Sequence, residues 1–268
     1  MDLKKESLRP PCAKPVSMSE FSQAPYTGLT PETILDAVES AGFHPDGGLL
    51  SLNSYENRVY QIGMNEGPPL VVKFYRPERW SDQSILEEHT FSLALAEEEI
   101  PIVAPLVDAA GVSLHKHSGY RFTLFPRRGG RWPELENPES LEWIGRFLGH
   151  IHIQGAAHPF KHRTSIDPSS MGEESARYLL EKGFIPLELE LRYRRLTDTL
   201  QAGIQEAFDA AANCRWIRLH GDCHPGNILW TDQGPHFVDL DDCRNGPAIQ
   251  DLWMLLSGGR SEMALQLN

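Results

Sequence analysis

Residues 219–230 read LHGDCHPGNILW, and VDLDD follows at 238–242. Asp222 and Asn227 stand in H-x-D-x-x-x-x-N spacing inside a loop that carries Gly and Pro, and Asp239 closes the apolar run before it. An amide oxygen and a carboxylate can share one magnesium ion, because magnesium takes oxygen ligands, keeps some waters and accepts substrate phosphates. Asp222 is then left to orient a hydroxyl or to accept its proton, which is the part phosphoryl transfer asks of a side chain. Asp and Asn are each common turn formers, so neither argues alone. The conjunction argues for catalysis.

Lys73 lies in the apolar stretch PPLVVKFY, alternating with Val71 and Tyr75. A partly buried ammonium is costly unless paired, and its natural partners are an anionic ligand and a carboxylate on the next helix. ILEEH supplies Glu87 and Glu88; Glu88 shares a face with Phe91 and Leu95 and is the expected inward acid. No GxGxxG precedes Lys73. LNSYENRVY stands there instead, where Ser54 and Asn57 could offer a hydroxyl and backbone N–H groups to phosphates, although an ordinary polar hairpin turn reads almost the same. His220 is read as fixing the loop, His224 as a solvated loop residue. Asp251 in IQDLWMLL is expected to open a buried helix, capping it or bracing the loop from behind. No His/Cys/Asp spacing matches a zinc site.

These groups need a scaffold. TPETILDAVESAG opens with Thr30 as N-cap and Pro31 at the first helical position, and Gly42 stops it. Strand signals follow in LLSLNSYENRVYQIGM and PPLVVKFY around the NEG turn, then a helix over SDQSILEEHTFSLALAEEE. Further strands are expected in PIVAPLVDA, VSLHKH and YRFTLFP. After about residue 126 helical patterns dominate, from Pro138 to about Ala212, with Ile144, Phe147, Leu148 and Ile151 on one stripe. The expectation is an α+β, bilobal, protein-kinase-like fold. A polar tail (1–28) precedes a β-rich nucleotide lobe (29–126) with one embedded helix. A helical lobe (127–268) follows, and its pattern breaks off as though C-terminal helices were truncated.

With 40% hydrophobic residues and 268 positions, a sizeable core is available. The net charge of −12 repels nucleic acid and anionic lipid, so neither is an expected partner, and an anion would need a local cationic pocket or a metal. No apolar run reaches the length of a membrane span. Cys12, Cys214, Cys223 and Cys243 form no CxxC pair, which fits a reducing compartment.

The H-x-D-x-x-x-x-N loop with a downstream strand-end Asp is the arrangement of protein kinases, except that Gly221 replaces the Arg and the triplet is Asp-Leu-Asp rather than Asp-Phe-Gly. HGDCHPGNILW and FVDLDD resemble the aminoglycoside/choline/homoserine kinase-like (APH phosphotransferase) superfamily. Together with LNSYENRVYQ, VVKFYRPERW, ILEEH and FVDLDDCRNGPAIQDLWMLL, they look like its bacterial stress-response protein kinases, from about residue 29 to 260. The resemblance implies a cytoplasmic serine/threonine protein kinase using ATP and Mg2+; protein substrates and a monomeric state are the expectation. It implies Asp222 as proton acceptor, Asn227 and Asp239 as metal ligands with Asp239 also catalytic, and Ser54 as an ATP-loop residue; Lys73 with Glu88 is expected to place the nucleotide phosphates. Asp241 and Asp242 are secondary metal candidates. The rival expectations are a small-molecule kinase of the same superfamily, a silent nucleotide-binding fragment, and a metal-dependent hydrolase that would leave Lys73 unexplained.

Overall fold

The strand that carries Lys73 decides which way the sheet faces. A computed structural model describes residues 25–268, and in it the antiparallel sheet runs β1-β2-β3-β5-β4. The strands are β1 (Pro45–Leu52), β2 (Arg58–Met64), β3 (Leu70–Phe74), β4 (His115–His117) and β5 (Tyr120–Pro126). Side chains alternate across a strand. On β3, Leu70, Val72 and Phe74 join Ile62, Phe122 and Leu124 in a core closed by Ile34, Ala37 and Val38 of α1 (Pro31–Ser40). Val71 and Lys73 point the other way, into a cleft. Thr30 caps α1 by accepting from the Thr33 N–H at 3.2 Å.

Helix α2 (Asp82–Glu97) begins at Ser81, whose hydroxyl accepts from the Ser84 N–H at 3.0 Å. Its Phe91 and Leu95 belong to the second core, with Ile144, Leu148 and Ile151 of α3 (Pro138–Gly155) and with Cys223, Ile228 and Phe237. The helix that carries Glu88 is therefore packed against the helical lobe. α4 (Glu174–Glu181) and α5 (Leu187–Ala210) follow. Four short strands then form two ladders: β6 (Trp216–Arg218) pairs with β9 (Asn245–Pro247), and β7 (Ile228–Thr231) pairs with β8 (Gly234–Phe237). α6 (Arg260–Leu267) completes the described chain.

Three expectations are corrected. PIVAPLVDA is not a strand: Pro101 and Pro105 lack the ladder donor, and the segment makes only an isolated bridge, Ile102 to Phe237. DLWMLL is not an α-helix but two 3₁₀ turns, Ala248–Asp251 and Trp253–Leu255, so Asp251 ends a turn rather than opening a helix. The helical stretch 138–212 is interrupted at 156–168, where extended and irregular chain returns across α2. The expected tail lies outside the described residues up to position 24; residues 25–28 form a turn. There the Tyr26 hydroxyl donates to the Glu56 carbonyl at 3.0 Å. Among the described residues no helix is long and apolar enough to cross a membrane.

Candidate active site

Lys73 is 4% exposed, and its Nζ donates to Glu88 Oε1 at 3.0 Å and to Asp239 Oδ1 at 3.4 Å. Burial alone would lower its pKa. Glu88 first, with Asp241 and Asp239 behind it, outweighs that and holds the ammonium well above its ordinary value. Glu87 faces elsewhere, accepting from the backbone N–H groups of Lys161 and His162 at 2.7 and 2.8 Å. Of the two acids offered by ILEEH, Glu88 meets the lysine because position 88 lies on the face of α2 that also buries Phe91 and Leu95.

Behind the loop, Asp251 is fully buried and accepts from the His220 N–H at 2.9 Å, the Gly221 N–H at 2.8 Å and His152 Nε2 at 2.9 Å. It braces the loop from behind. The His220 ring donates from Nε2 to the Val238 carbonyl at 2.9 Å, which leaves Nδ1 as the acceptor facing the Asp222 N–H at 3.4 Å. That one histidine spans from the HGD turn to the strand end before Asp239. His224 lies on the loop surface, where its Nδ1 accepts from the Gly226 N–H at 3.0 Å.

Asn227 donates its amide to the Asp222 carbonyl at 2.9 Å and to Asp222 Oδ2 at 3.3 Å. Its Oδ1 is the atom left for another ligand. Asp239 has φ 60° and ψ 68°, a left-handed backbone that costs a non-glycine residue about 1–2 kcal/mol, and its side chain is half exposed. Among the described residues no three His, Cys, Asp or Glu side chains gather into a complete metal cage. Two hard oxygen donors at a cleft suit magnesium, which fills its remaining positions with phosphate and water. The donor set fits the ion.

Two cavities meet at these residues. A cleft of about 330 Å³ is walled by Leu52, Val59, Val71, Phe125 and Val238 and reaches Lys73, Asn227 and Asp239. An adjoining one of about 630 Å³ holds Asp222, His224 and Arg79. Ser54, Asn227 and Asp239 line both. Asn57 is buried at the wall of the second cavity, where its Oδ1 accepts from the Arg76 N–H at 3.1 Å, pinning the base of the Ser54 loop.

Asp241 is buried and paired with Arg79, and Asp242 accepts from Arg79 Nη2 at 2.7 Å. Burial would raise the Asp241 pKa, but Lys73, Arg79 and Arg163 together hold it below the usual carboxylate range. These two acids are held by arginines, unlike the half-exposed Asp239. Sequence reasoning missed Arg163, which is buried against Glu88 with Nη2 to Oε2 at 2.9 Å. Its segment, FKHRTS, carries no periodicity that would flag it. Arg79 stood in the quoted VVKFYRPERW stretch without a role.

The sequence model of the phosphotransferase enzyme family, APH, matches residues 49–267. Stress response kinase A of Salmonella typhi is 47% identical over 242 residues, covering 90% of this chain and 73% of that protein. Serine/threonine protein kinase RdoA of Salmonella typhimurium (strain LT2) matches to the same extent. Stress response kinase A of Escherichia coli K12 is 46% identical over 246 residues, again 90% and 73% of the two chains. Among solved structures, amicoumacin kinase hAmiN in complex with AMP-PNP, Ca2+ and Ami superposes with a TM-score of 0.67 at 18% identity, over 88% of this chain and 75% of that one. The microcompartment-associated aminopropanol kinase gives 0.62 at 20% identity, over 84% and 74%. The two superpositions show a shared kinase-like fold.

Proposed function

Because the chain belongs to the phosphotransferase enzyme family, we propose that it transfers the γ-phosphate of ATP, with magnesium, to serine or threonine hydroxyls of proteins. The observation that carries this reading is the meeting of Lys73, paired to Glu88, with Asp239 at the junction of two cavities, one apolar and one holding Asp222. Support for a protein acceptor is that a relative 47% identical is named a serine/threonine protein kinase. In this reading residues 29–126 are the nucleotide lobe and 127–268 the lobe of the catalytic loop. The enzyme is a cytoplasmic monomer serving stress response.

The adenine lies between Leu52, Val59, Val71 and Val238, beside the hinge at Phe125–Pro126. Lys73 donates to the α- and β-phosphates while Glu88 keeps it aimed, and Ser54 offers its hydroxyl and loop amides to the phosphate tail. Asn227 Oδ1 and the Asp239 carboxylate would hold magnesium, which would offset phosphate charge. Asp222 hydrogen-bonds the acceptor hydroxyl and takes its proton as the new P–O bond forms and the β–γ bridge breaks to release ADP. Positioning and electrostatics supply most of such a rate enhancement.

The test is transfer of labelled γ-phosphate by the chain and by Asp222→Ala, offered the protein itself, a generic protein and a panel of small alcohols. Label on protein serine or threonine that falls by about 10²–10⁴-fold in the variant supports the reading. Label confined to a small alcohol moves the acceptor to small molecules, and ATP binding without any transfer sinks the activity.

A further inference from the structure

Glu88 has two cations, and only one of them faces the cleft. Oε1 accepts from Lys73; Oε2 accepts from Arg163 at 2.9 Å, on the side away from the cleft that Lys73 lines. Arg163 comes from the irregular chain between α3 and α4, and none of its side chain is exposed. Its Nε donates to the Ser84 carbonyl at 2.8 Å, and its Nη1 donates to the carbonyls of Asp241 at 2.6 Å and Cys243 at 3.0 Å. The guanidinium carbon lies over the Trp80 ring, 4.5 Å from its centroid. One side chain thus ties the first turns of α2 to the DLDDC segment that follows Asp239.

Neighbouring contacts act the same way. The Ser84 hydroxyl donates to the His162 carbonyl at 2.7 Å, and Glu87 accepts from the N–H groups of Lys161 and His162. Moving α2 outward would strand Arg163 and Glu88 in a buried site and break the two amide contacts to Glu87 at its exposed edge. A guanidinium suits the task because its fixed fork serves several acceptors at once, which a lysine ammonium on a flexible stem cannot reproduce.

We propose that Arg163 is a positioning residue for phosphate transfer: it locks α2 so that Glu88 keeps Lys73 aimed at the nucleotide in the resting enzyme. The proposal rests on the phosphotransferase reading for its kinetic consequence, while its structural consequence holds without it.

The experiment compares the full chain with Arg163→Lys and Arg163→Met by amide hydrogen exchange without nucleotide and by steady-state kinetics with ATP. Arg163→Met should exchange at residues 84–92 at least about tenfold faster, with 140–151 on α3 unchanged. Its kcat should fall about tenfold or more while KM for ATP moves less than about threefold, and Arg163→Lys, which keeps one charge beside Glu88, should recover part of the loss. A purely structural role predicts an equal drop in melting temperature for both variants and an unchanged kcat per folded molecule. Unchanged α2 protection in both variants overturns the proposal. Should Arg163→Met fail to fold, Arg163→Lys carries the comparison. Absence of turnover in the unsubstituted chain would refute the proposed function instead, and the exchange measurement would still decide the role of Arg163.

Discussion

The Asn227 side-chain amide donates to Asp222 twice, to its backbone carbonyl at 2.9 Å and to its carboxylate Oδ2 at 3.3 Å. One residue therefore orients the proposed base and, with its remaining oxygen, faces the proposed metal position. Asn227→Ala should raise the magnesium concentration needed for half-maximal rate by at least about tenfold. It should also lower kcat at saturating magnesium, because Asp222 loses its tether. Rates measured against free magnesium check this, and an unmoved magnesium dependence would remove Asn227 from the metal site.

Asp251 is the buried acceptor on which the loop rests. Asp251→Ala leaves the His220 and Gly221 amides without a partner in a dry site, at about 1–3 kcal/mol for each stranded group. The variant should unfold at lower urea concentration by a corresponding 2–6 kcal/mol, about the sum of the two, and lose transfer activity in the fraction that stays folded. A midpoint equal to the parent's would show that water replaces the carboxylate there.

The legible part of this molecule was the part whose chemistry needs fixed residue types at fixed offsets. Asp222, Asn227 and Asp239 come together because one short β-ladder, β7 with β8, returns the chain between them. Lys73 stood out as a charge in an apolar run. Arg163 and Arg79 were invisible for the opposite reason: their partners lie far away in sequence, Glu88 reached by the crossing of α2 and the 156–168 segment, and Asp241 by the packing of the start of α2 on the DLDD turn. PIVAPLVDA has the β-branched residues of a strand, but its two prolines cannot donate to a ladder. DLWMLL misled because a short apolar run has no period to separate 3₁₀ turns from an α-helix.

Gly221 is held at φ +89°, and a Cβ there would sit 2.0 Å from the Asp242 carbonyl oxygen. Backbone cannot yield as a side chain can. Gly221→Ala should therefore combine the left-handed penalty with a clash, costing about 2–5 kcal/mol, and push the HGD turn away from the DLDD segment so that transfer is lost. Gly149→Ala on α3 is the control. Nothing lies within 4 Å of its added Cβ, and a helix-interior alanine should stabilise by about 0.5–1 kcal/mol. Calorimetry on the pair separates the two effects, and a Gly221→Ala melt equal to the parent's would contradict the close crossing.

His89 follows Glu88 on α2 and is buried between two hydroxyls, with Nε2 2.8 Å from the Tyr75 hydroxyl and Nδ1 2.8 Å from Ser113 Oγ. Burial, with Lys73 and Arg163 nearby, lowers its pKa from 6.5 to about 3. The unfolded chain therefore binds this proton more readily than the folded one between those values. The stability that neutral His89 preserves is complete above pH 6.5 and is lost as pH falls toward 3. One proton gives a slope of about 1.4 kcal/mol per pH unit well below pH 6.5. His115 and His236 are also shifted down and contribute in the same direction, so the informative quantity is the difference from His89→Gln. Between pH 6.5 and 5 the parent should lose about 1.6 kcal/mol more than the variant in urea unfolding, before the depressed carboxyl of Asp241 enters below its ordinary 3.8. Equal slopes would mean that His89 folds protonated, with both hydroxyls accepting from it beside the Lys73–Glu88 pair.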